Sequence, residues 1–291
     1  MALPVSWVAA PPFLSARPAG LEEEARGQVV GFPFEATASF RGGARFGPNA
    51  VREFSESIET YSPYQQRDLE DLALVDRGNL WPEEPFGLME RHLGALQAFF
   101  QEVKTKARFT LFLGGEHTST LAFLTPAELQ DPRFFLLVLD AHLDLRPAYQ
   151  GSAYSHASWA RRALEWLGPE RMFIAGARSG TREEFVLAQR QRLWLRRPEE
   201  VRERLDTLPK NARFHLSLDI DVLDPSHAPG TGNPEPLGWS VADVLEVVRL
   251  LTEYEVVSAD LVEYHPHLDP SGRTGVLAAL LAREILLALT P

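Results

Sequence analysis

Apolar and polar positions along the chain fall into two periods. Short apolar runs recur at residues 28–34, 72–75, 108–113, 133–139, 171–175, 192–195, 213–218 and 256–262. Runs this short, with little alternation, suit strands buried on both faces of a parallel sheet. Between them lie stretches of helical period. Residues 84–104 carry Leu88, Leu93, Leu96, Phe99, Phe100 and Val103 at that spacing. Further helices are predicted from Pro48 to about 61, from about 118, and over 155–168, 182–190, 198–205, 240–251 and 274–289. Pro48 and Pro198 stand at helix starts, and Ser240 with Asp243 resembles a capping box. Strands alternating with helices predict a parallel sheet of about eight strands covered on both faces. Residues 1–27 are rich in Pro and Ala and read as an irregular arm. No repeat, low-complexity run or linker divides the chain, so 1–291 reads as one domain.

Three of the apolar runs end in chemistry. Residues 133–139 lead into Asp140-Ala141-His142-Leu143-Asp144. Alternate side chains of an extended backbone point the same way, so Asp140, His142 and Asp144 share one face at a strand's C-terminal end. Residues 213–218 lead into Asp219-Ile220-Asp221, with Asp224-Pro225 starting a turn, and residues 108–113 lead into Gly114-Gly115-Glu116-His117. Like charges this close repel, and burying them costs on the order of several kcal/mol unless something positive is present. A divalent cation is the simplest compensation. Carboxylates with imidazole suit Mn, Fe, Co or Zn better than Ca or Mg. His117, Asp140, His142, Asp144, Asp219 and Asp221 are too many donors for one small cation. Their four carboxylates suit two divalent ions that share bridging ligands. A lone Asp or His at a strand end is usually a cap or turn residue; the weight here lies in three strand ends agreeing.

Composition narrows the partners. The formal net charge of −11 argues against nucleic-acid binding and favours a cationic substrate. The absence of cysteine removes disulfide and thiol chemistry. No signal-peptide pattern opens the chain and no apolar run is long enough to span a bilayer, so the expected location is the cytoplasm, with no membrane partner.

The three strand-end motifs, with Ser217-Leu218-Asp219-Ile220-Asp221-Val222-Leu223-Asp224-Pro225 as the last, resemble in order the metal motifs of the ureohydrolases, the family of arginase and agmatinase. Arg41-Gly42-Gly43-Ala44-Arg45-Phe46-Gly47-Pro48, Gly230-Thr231-Gly232-Asn233-Pro234-Glu235-Pro236 and Asp260-Leu261-Val262-Glu263 are similar to further agmatinase segments. The resemblance implies a three-layer α/β/α sandwich on a central eight-stranded parallel sheet. It implies two divalent ions per subunit, Mn²⁺ first among them, and a homo-oligomer, trimeric or hexameric. The implied reaction cleaves a guanidino group to urea and an amine. Carried over by motif, Asp140 and Asp219 bridge the ions, His117 and Asp144 complete one, and His142 and Asp221 the other. Glu263 receives the guanidinium, and His156, in the loop after the Asp-Ala-His-Leu-Asp motif, relays a proton to the leaving amine. His156 is followed by Ala157 where many members have Gly.

The expected substrate is agmatine, or aminopropylagmatine, giving putrescine or spermidine. Arginases resemble one another in an Asn after the main motif that contacts the carboxylate side of arginine; here Leu145-Arg146 follow Asp144. Arg146 is the residue that would pair with a carboxylate, and Glu235 would attract a distal ammonium. Alternatives are an arginase or another guanidino-acid or formimino hydrolase, a one-zinc hydrolase on the related deacetylase fold, and a non-enzymatic metal-binding homologue. Loss of a ligand or of Glu263 would have favoured the last, and none is lost. Glu116 is expected to orient His117, and Asp224 to be structural. Arg41 and Arg45 read as surface or subunit contacts. His215, His265 and His267 read as structural or exposed.

Overall fold

In the computed structural model, which describes residues 3–291, the strands are β1 (Val5–Val8), β2 (Arg17–Pro18), β3 (Ala25–Phe32), β4 (Tyr61–Ser62), β5 (Arg67–Asp68), β6 (Leu74–Pro82), β7 (Ala107–Gly114), β8 (Phe134–Leu139), β9 (Met172–Ala175), β10 (Trp194–Leu195), β11 (Arg213–Asp219) and β12 (Glu255–Val262). The helices are α1 (Gly47–Ser55), α2 (Leu88–Lys104), α3 (Thr120–Phe123), α4 (Pro126–Gln130), α5 (Trp159–Leu167), α6 (Arg182–Arg190), α7 (Pro198–Asp206), α8 (Val241–Leu251) and α9 (Arg273–Leu289). The main sheet runs β1-β6-β3-β7-β12-β11-β8-β9-β10, with β2 beside β6. From β6 to β10 every neighbour is parallel, which is the expected eight-stranded parallel sheet.

The unbroken apolar runs have a simple cause. All six residues of β8 are buried. Phe134, Leu136 and Val138 face Trp159, Ala160 and Ala163 of α5. Phe135, Leu137 and Leu139 belong to the core on the opposite face, which α8 and α9 fill through Val244, Val247, Leu281 and Ile285. Both faces are apolar because both are covered, at about 1.5–3 kcal/mol for each large side chain buried. On one face α2 also presses Leu88, Leu96, Phe100 and Val103 onto Phe32 and Phe112, and Phe100 meets Phe112 edge to face at 5.4 Å. No helix among the described residues is long and apolar enough to cross a membrane.

Two expectations need correction. The arm at 1–27 is not wholly irregular: β1 adds to the sheet antiparallel, pairing Val5–Val8 with residues 79–82, and β2 runs beside Val75 and Asp76. The strand expected over 72–75 extends to Pro82. Asp76, Arg77 and Asn79 break its apolar pattern, yet all three are buried. Arg52 of α1 binds Asp76 through Nε and Nη2 at 2.8 and 2.9 Å and Asn79 at 2.8 Å, and Arg77 donates to Gln28 at 2.9 Å. A polar strand stays inside because its charges are paired there.

What matters for function is the order at the centre. Although β7 and β8 are consecutive along the chain, β11 and β12 lie between them. The C-terminal ends of β7, β12, β11 and β8 therefore stand side by side, where a parallel sheet opens a crevice.

A candidate dinuclear metal site

The crevice collects the predicted donors. Asp140 leaves β8 and Asp219 closes β11, and each carboxylate is fixed by the backbone two residues on. His142 N–H donates to Asp140 Oδ1 at 2.6 Å, and Asp221 N–H donates to Asp219 Oδ1 at 2.8 Å. These local turns aim the other oxygen of each inward. Asp140 Oδ2 and Asp219 Oδ2 both lie 3.0 Å from His117 Nδ1. Asp140 Oδ1 and Asp221 Oδ2 lie 3.5 and 2.9 Å from His142 Nδ1. Two groups result, His117 with Asp140 and Asp219, and Asp140 with His142 and Asp221, and Asp140 is common to both. Asp219 stands in one group only, and Asp144 lies outside both.

A metal ion explains what the protein alone leaves unresolved. His117 is 1% exposed, its Nε2 meets Ser217 Oγ at 3.0 Å, and its Nδ1 has no hydrogen-bond partner despite the two carboxylates beside it. Two atoms each ~2.1 Å from a cation and at right angles to one another are ~3.0 Å apart, which is the spacing found here. Without a cation, burial opposes charge on His117 and His142, but the adjacent aspartates outweigh it and raise both pKa values well above the ordinary imidazole value. Burial, joined by neighbouring carboxylates, pushes Asp144 and Asp219 well above the usual carboxylate range. Burial of Asp140 is outweighed by the two histidines, which hold its carboxyl below that range. Binding of divalent cations by this donor set would therefore be coupled to release of protons.

Behind the donors stand residues that the sequence did not single out. Trp159, the first residue of α5, is fully buried. It stacks on His117 at 4.2 Å and donates Nε1–H to Asp144 Oδ2 at 2.9 Å. Ser217, not Glu116, orients His117. Ser217 donates to Asp260 at 2.8 Å, and Asp260 meets His215 at 2.8 Å, all in a fully buried chain. Glu116 instead accepts from the N–H groups of Ala36 and Thr37, each at 2.7 Å. Asp224 is structural, capping Ser226 and Gly238 N–H groups at 2.9 and 3.0 Å.

All the candidate donors except Asp140, which lies behind them, line a cavity of about 430 Å³. Glu263 lines it just past β12, accepting from His117 N–H at 2.7 Å. Its other oxygen faces His265 at 3.0 Å, and that histidine is buried. Asp144 and Glu263 hold left-handed backbone at φ 50° and 60°, a strained state for a residue with a side chain. His156 lines the wall, its ring nitrogens 3.3 Å from Thr37 Oγ1 and 3.0 Å from Ser39 Oγ. Arg146 lies 3.7 Å from Glu184 and over the Tyr149 ring at 4.9 Å. Glu235 accepts from Ser179 Oγ at 2.8 Å and approaches His142 Nε2 at 4.0 Å. Arg41 is tied inward, donating to the carbonyls of Gly232 and Thr231 at 3.1 and 3.0 Å.

An α/β/α sandwich whose parallel strand ends bring together two His–Asp–Asp groups sharing one carboxylate defines a class of proteins built to hold a pair of divalent cations. The chain matches the Arginase family over residues 25–288 and belongs to it. It is 37% identical over 281 residues to an agmatinase of Bacillus subtilis, covering 94% of this chain and 95% of the relative. It is 34% identical over 249 residues to an N(1)-aminopropylagmatine ureohydrolase of Thermococcus kodakarensis, covering 83% of each. Among solved structures it superposes on an agmatine ureohydrolase of Thermoplasma volcanium with a TM-score of 0.85 at 30% identity, covering 97% of this chain and 94% of that one.

Proposed function

We propose that the protein hydrolyses the guanidino group of a linear cation, agmatine or its aminopropyl derivative, to urea and putrescine or spermidine. The observation that carries this reading is the charge of the cavity. Beyond the metal donors, Glu184, Glu235 and Glu263 line it, and Arg146 is the one Lys or Arg among its described lining residues. Glu184 and Tyr149 already engage that arginine. A substrate bearing a second cation meets complementary charge, whereas the α-carboxylate of arginine meets repulsion. The named agmatinase and aminopropylagmatine relatives support the same substrate class.

Six residues, His117, Asp140, His142, Asp144, Asp219 and Asp221, would hold two divalent ions, with Mn²⁺ suited to the mixed imidazole and carboxylate donors. When bound, the ions supply the Lewis acidity that yields a nucleophile from water near neutral pH. Glu263 accepts N–H bonds from the guanidinium and sets its carbon over the donors. His156, braced by Thr37 and Ser39, passes a proton to the departing nitrogen, which cannot leave as an amide anion. Glu235 draws in the distal ammonium. The same reading includes a cytoplasmic trimer or hexamer, which light scattering and cell fractionation test. Urea release from a panel of guanidino compounds, with metal content measured on the same sample, tests the chemistry. Agmatine or its aminopropyl derivative should give the highest kcat/KM and two ions per subunit. A kcat/KM for arginine equal to or above that for agmatine refutes the substrate reading.

A further inference from the structure

We propose that His265 is a positioning residue that fixes the Glu263 carboxylate for a guanidinium through an Nε2–H bond. This rests on the reading of Glu263 as the guanidinium acceptor. A carboxylate offers about four acceptor sites, and a guanidinium grips it best through two of them. Two donors from the protein occupy the others: His117 N–H at 2.7 Å on Oε1 and His265 Nε2 at 3.0 Å on Oε2. Because an ionised carboxylate only accepts, Nε2 carries the proton. The carboxylate is held at both oxygens and cannot swing about its terminal bond.

His265 sits in a slot made for the ring. It is 1% exposed and is not among the residues lining the cavity, so it reaches a substrate only through Glu263. Its N–H donates to Gly230 O at 2.8 Å, and its carbonyl accepts from Leu268 N–H at 3.1 Å. Two glycines close on the ring: a Cβ added at Gly232 would lie 3.0 Å from Cε1, and one at Gly43 would lie 3.6 Å from Nδ1. Arg41 ties their two loops together through the Thr231 and Gly232 carbonyls. The charged or titratable groups around the ring are Glu263 from the end of β12, Glu35 after β3, and His267 beside Gly43. Burial opposes charge on His265, but Glu263 outweighs it and raises the imidazole pKa. Burial of Glu263 is in turn outweighed by His265, which holds the carboxylate below its ordinary value.

The test compares wild type with His265→Leu and His265→Gln, in full-length metal-loaded protein. Binding of guanidinium ion is read by calorimetry, with urea release and metal content alongside. Loss of a hydrogen bond to a charged group predicts guanidinium affinity and kcat/KM about 10- to 150-fold lower in His265→Leu, with two ions retained. His265→Gln, which keeps a donor, should recover most of that loss. In ¹⁵N-histidine-labelled wild type, an Nε2–H resonance absent from His265→Gln should exchange slowly and shift on adding guanidinium chloride. Equal guanidinium affinity in wild type and His265→Leu overturns the positioning role and leaves the hydrolase reading intact. Loss of metal in His265→Leu also overturns it, since the effect would then run through the donors. A wild type that neither binds guanidinium nor releases urea overturns both. Should His265→Leu fail to fold, a fast-exchanging Nε2–H indifferent to guanidinium in wild type overturns the proposal by itself.

Discussion

Trp159→Phe isolates one bond behind the metal donors. The phenyl ring keeps an aromatic face against His117, which the indole now meets at 4.2 Å and 28°. What disappears is the 2.9 Å bond from Nε1–H to Asp144 Oδ2. Asp144 is poorly placed to lose it: burial already pushes its carboxyl well above the usual range, and its backbone is in the left-handed region at φ 50°. Removing a hydrogen bond to a charged group costs about 1.5–3 kcal/mol, or roughly 10- to 150-fold in an equilibrium constant. Partners that orient metal ligands are worth about 10- to 100-fold in metal affinity or activity, so two independent scales agree. Chelator-buffered Mn²⁺ titration, followed by elemental analysis and urea release, reads the effect. One of two ions should bind about 10- to 150-fold more weakly, and excess Mn²⁺ should restore most of the turnover. Unchanged affinity for both ions would refute Asp144 as a ligand oriented by Trp159.

Three further outcomes follow from the same geometry. Asp140→Ala should lose both ions, because Asp140 stands in both donor groups, whereas Asp219→Ala should lose one first; elemental analysis of each variant distinguishes them. His156→Ala should lower turnover about 10²–10⁴-fold with metal content unchanged, and equal turnover where chemistry is rate-limiting would exclude a proton relay. Metal binding should release protons and tighten as pH rises. His117, His142, Asp144 and Asp219 all have raised pKa values without a cation, so protons they hold must leave as an ion enters. Mn²⁺ affinity that is flat with pH, measured in weakly coordinating buffer, would contradict those shifts.

The layers of the fold were legible because they follow a period, and five of the six candidate donors because they cluster at strand ends. His142 nevertheless lies past β8, Asp221 sits in a short helical turn after β11, and Asp144 falls outside both donor groups. Strands covered on both faces print as unbroken apolar runs, and donors at alternate positions print as Asp-x-His-x-Asp and Asp-x-Asp. Where a strand keeps polar residues inside, the period fails: β6 was cut short because its partner Arg52 lies 24 and 27 residues away. Ser217 was within reach of sequence reasoning. It precedes Asp219 by two, so the strand period already placed it on the donor face, with His215 two further back. Trp159 and His265 carried no such signal. The first reads as one more apolar residue opening an amphipathic helix. The second reads as a loop histidine, and its burial depends on glycines at 43 and 232 closing from distant loops.

Arg178 shows how the candidate metal donors and the loop that carries Glu235 are joined. Its guanidinium meets backbone carbonyls. Nη2 donates to Asp221 O at 2.9 Å and to Glu235 O at 2.7 Å, Nη1 to Val222 O at 3.1 Å, and Nε to Pro236 O at 3.0 Å. One nitrogen thus bridges the turn that carries a metal donor and the segment that carries Glu235. The next residue, Ser179, holds the Glu235 carboxylate itself, while the N–H groups of Arg178 and Ser179 both donate to Ala141 O, inside the Asp140–Asp144 motif. A Gly- and Pro-rich loop would ordinarily be the most mobile wall of such a cavity. Here it is anchored through side chain and backbone to the two segments that carry four of the aspartates. A shift of the Glu235 backbone must therefore also disturb the Asp221 turn, while its carboxylate is held by Ser179. On the proposed reading, in which Glu263 takes the guanidinium and Glu235 the distal ammonium, this anchoring sets the distance between the two ends, which is the geometric condition for reading the length of a linear dication.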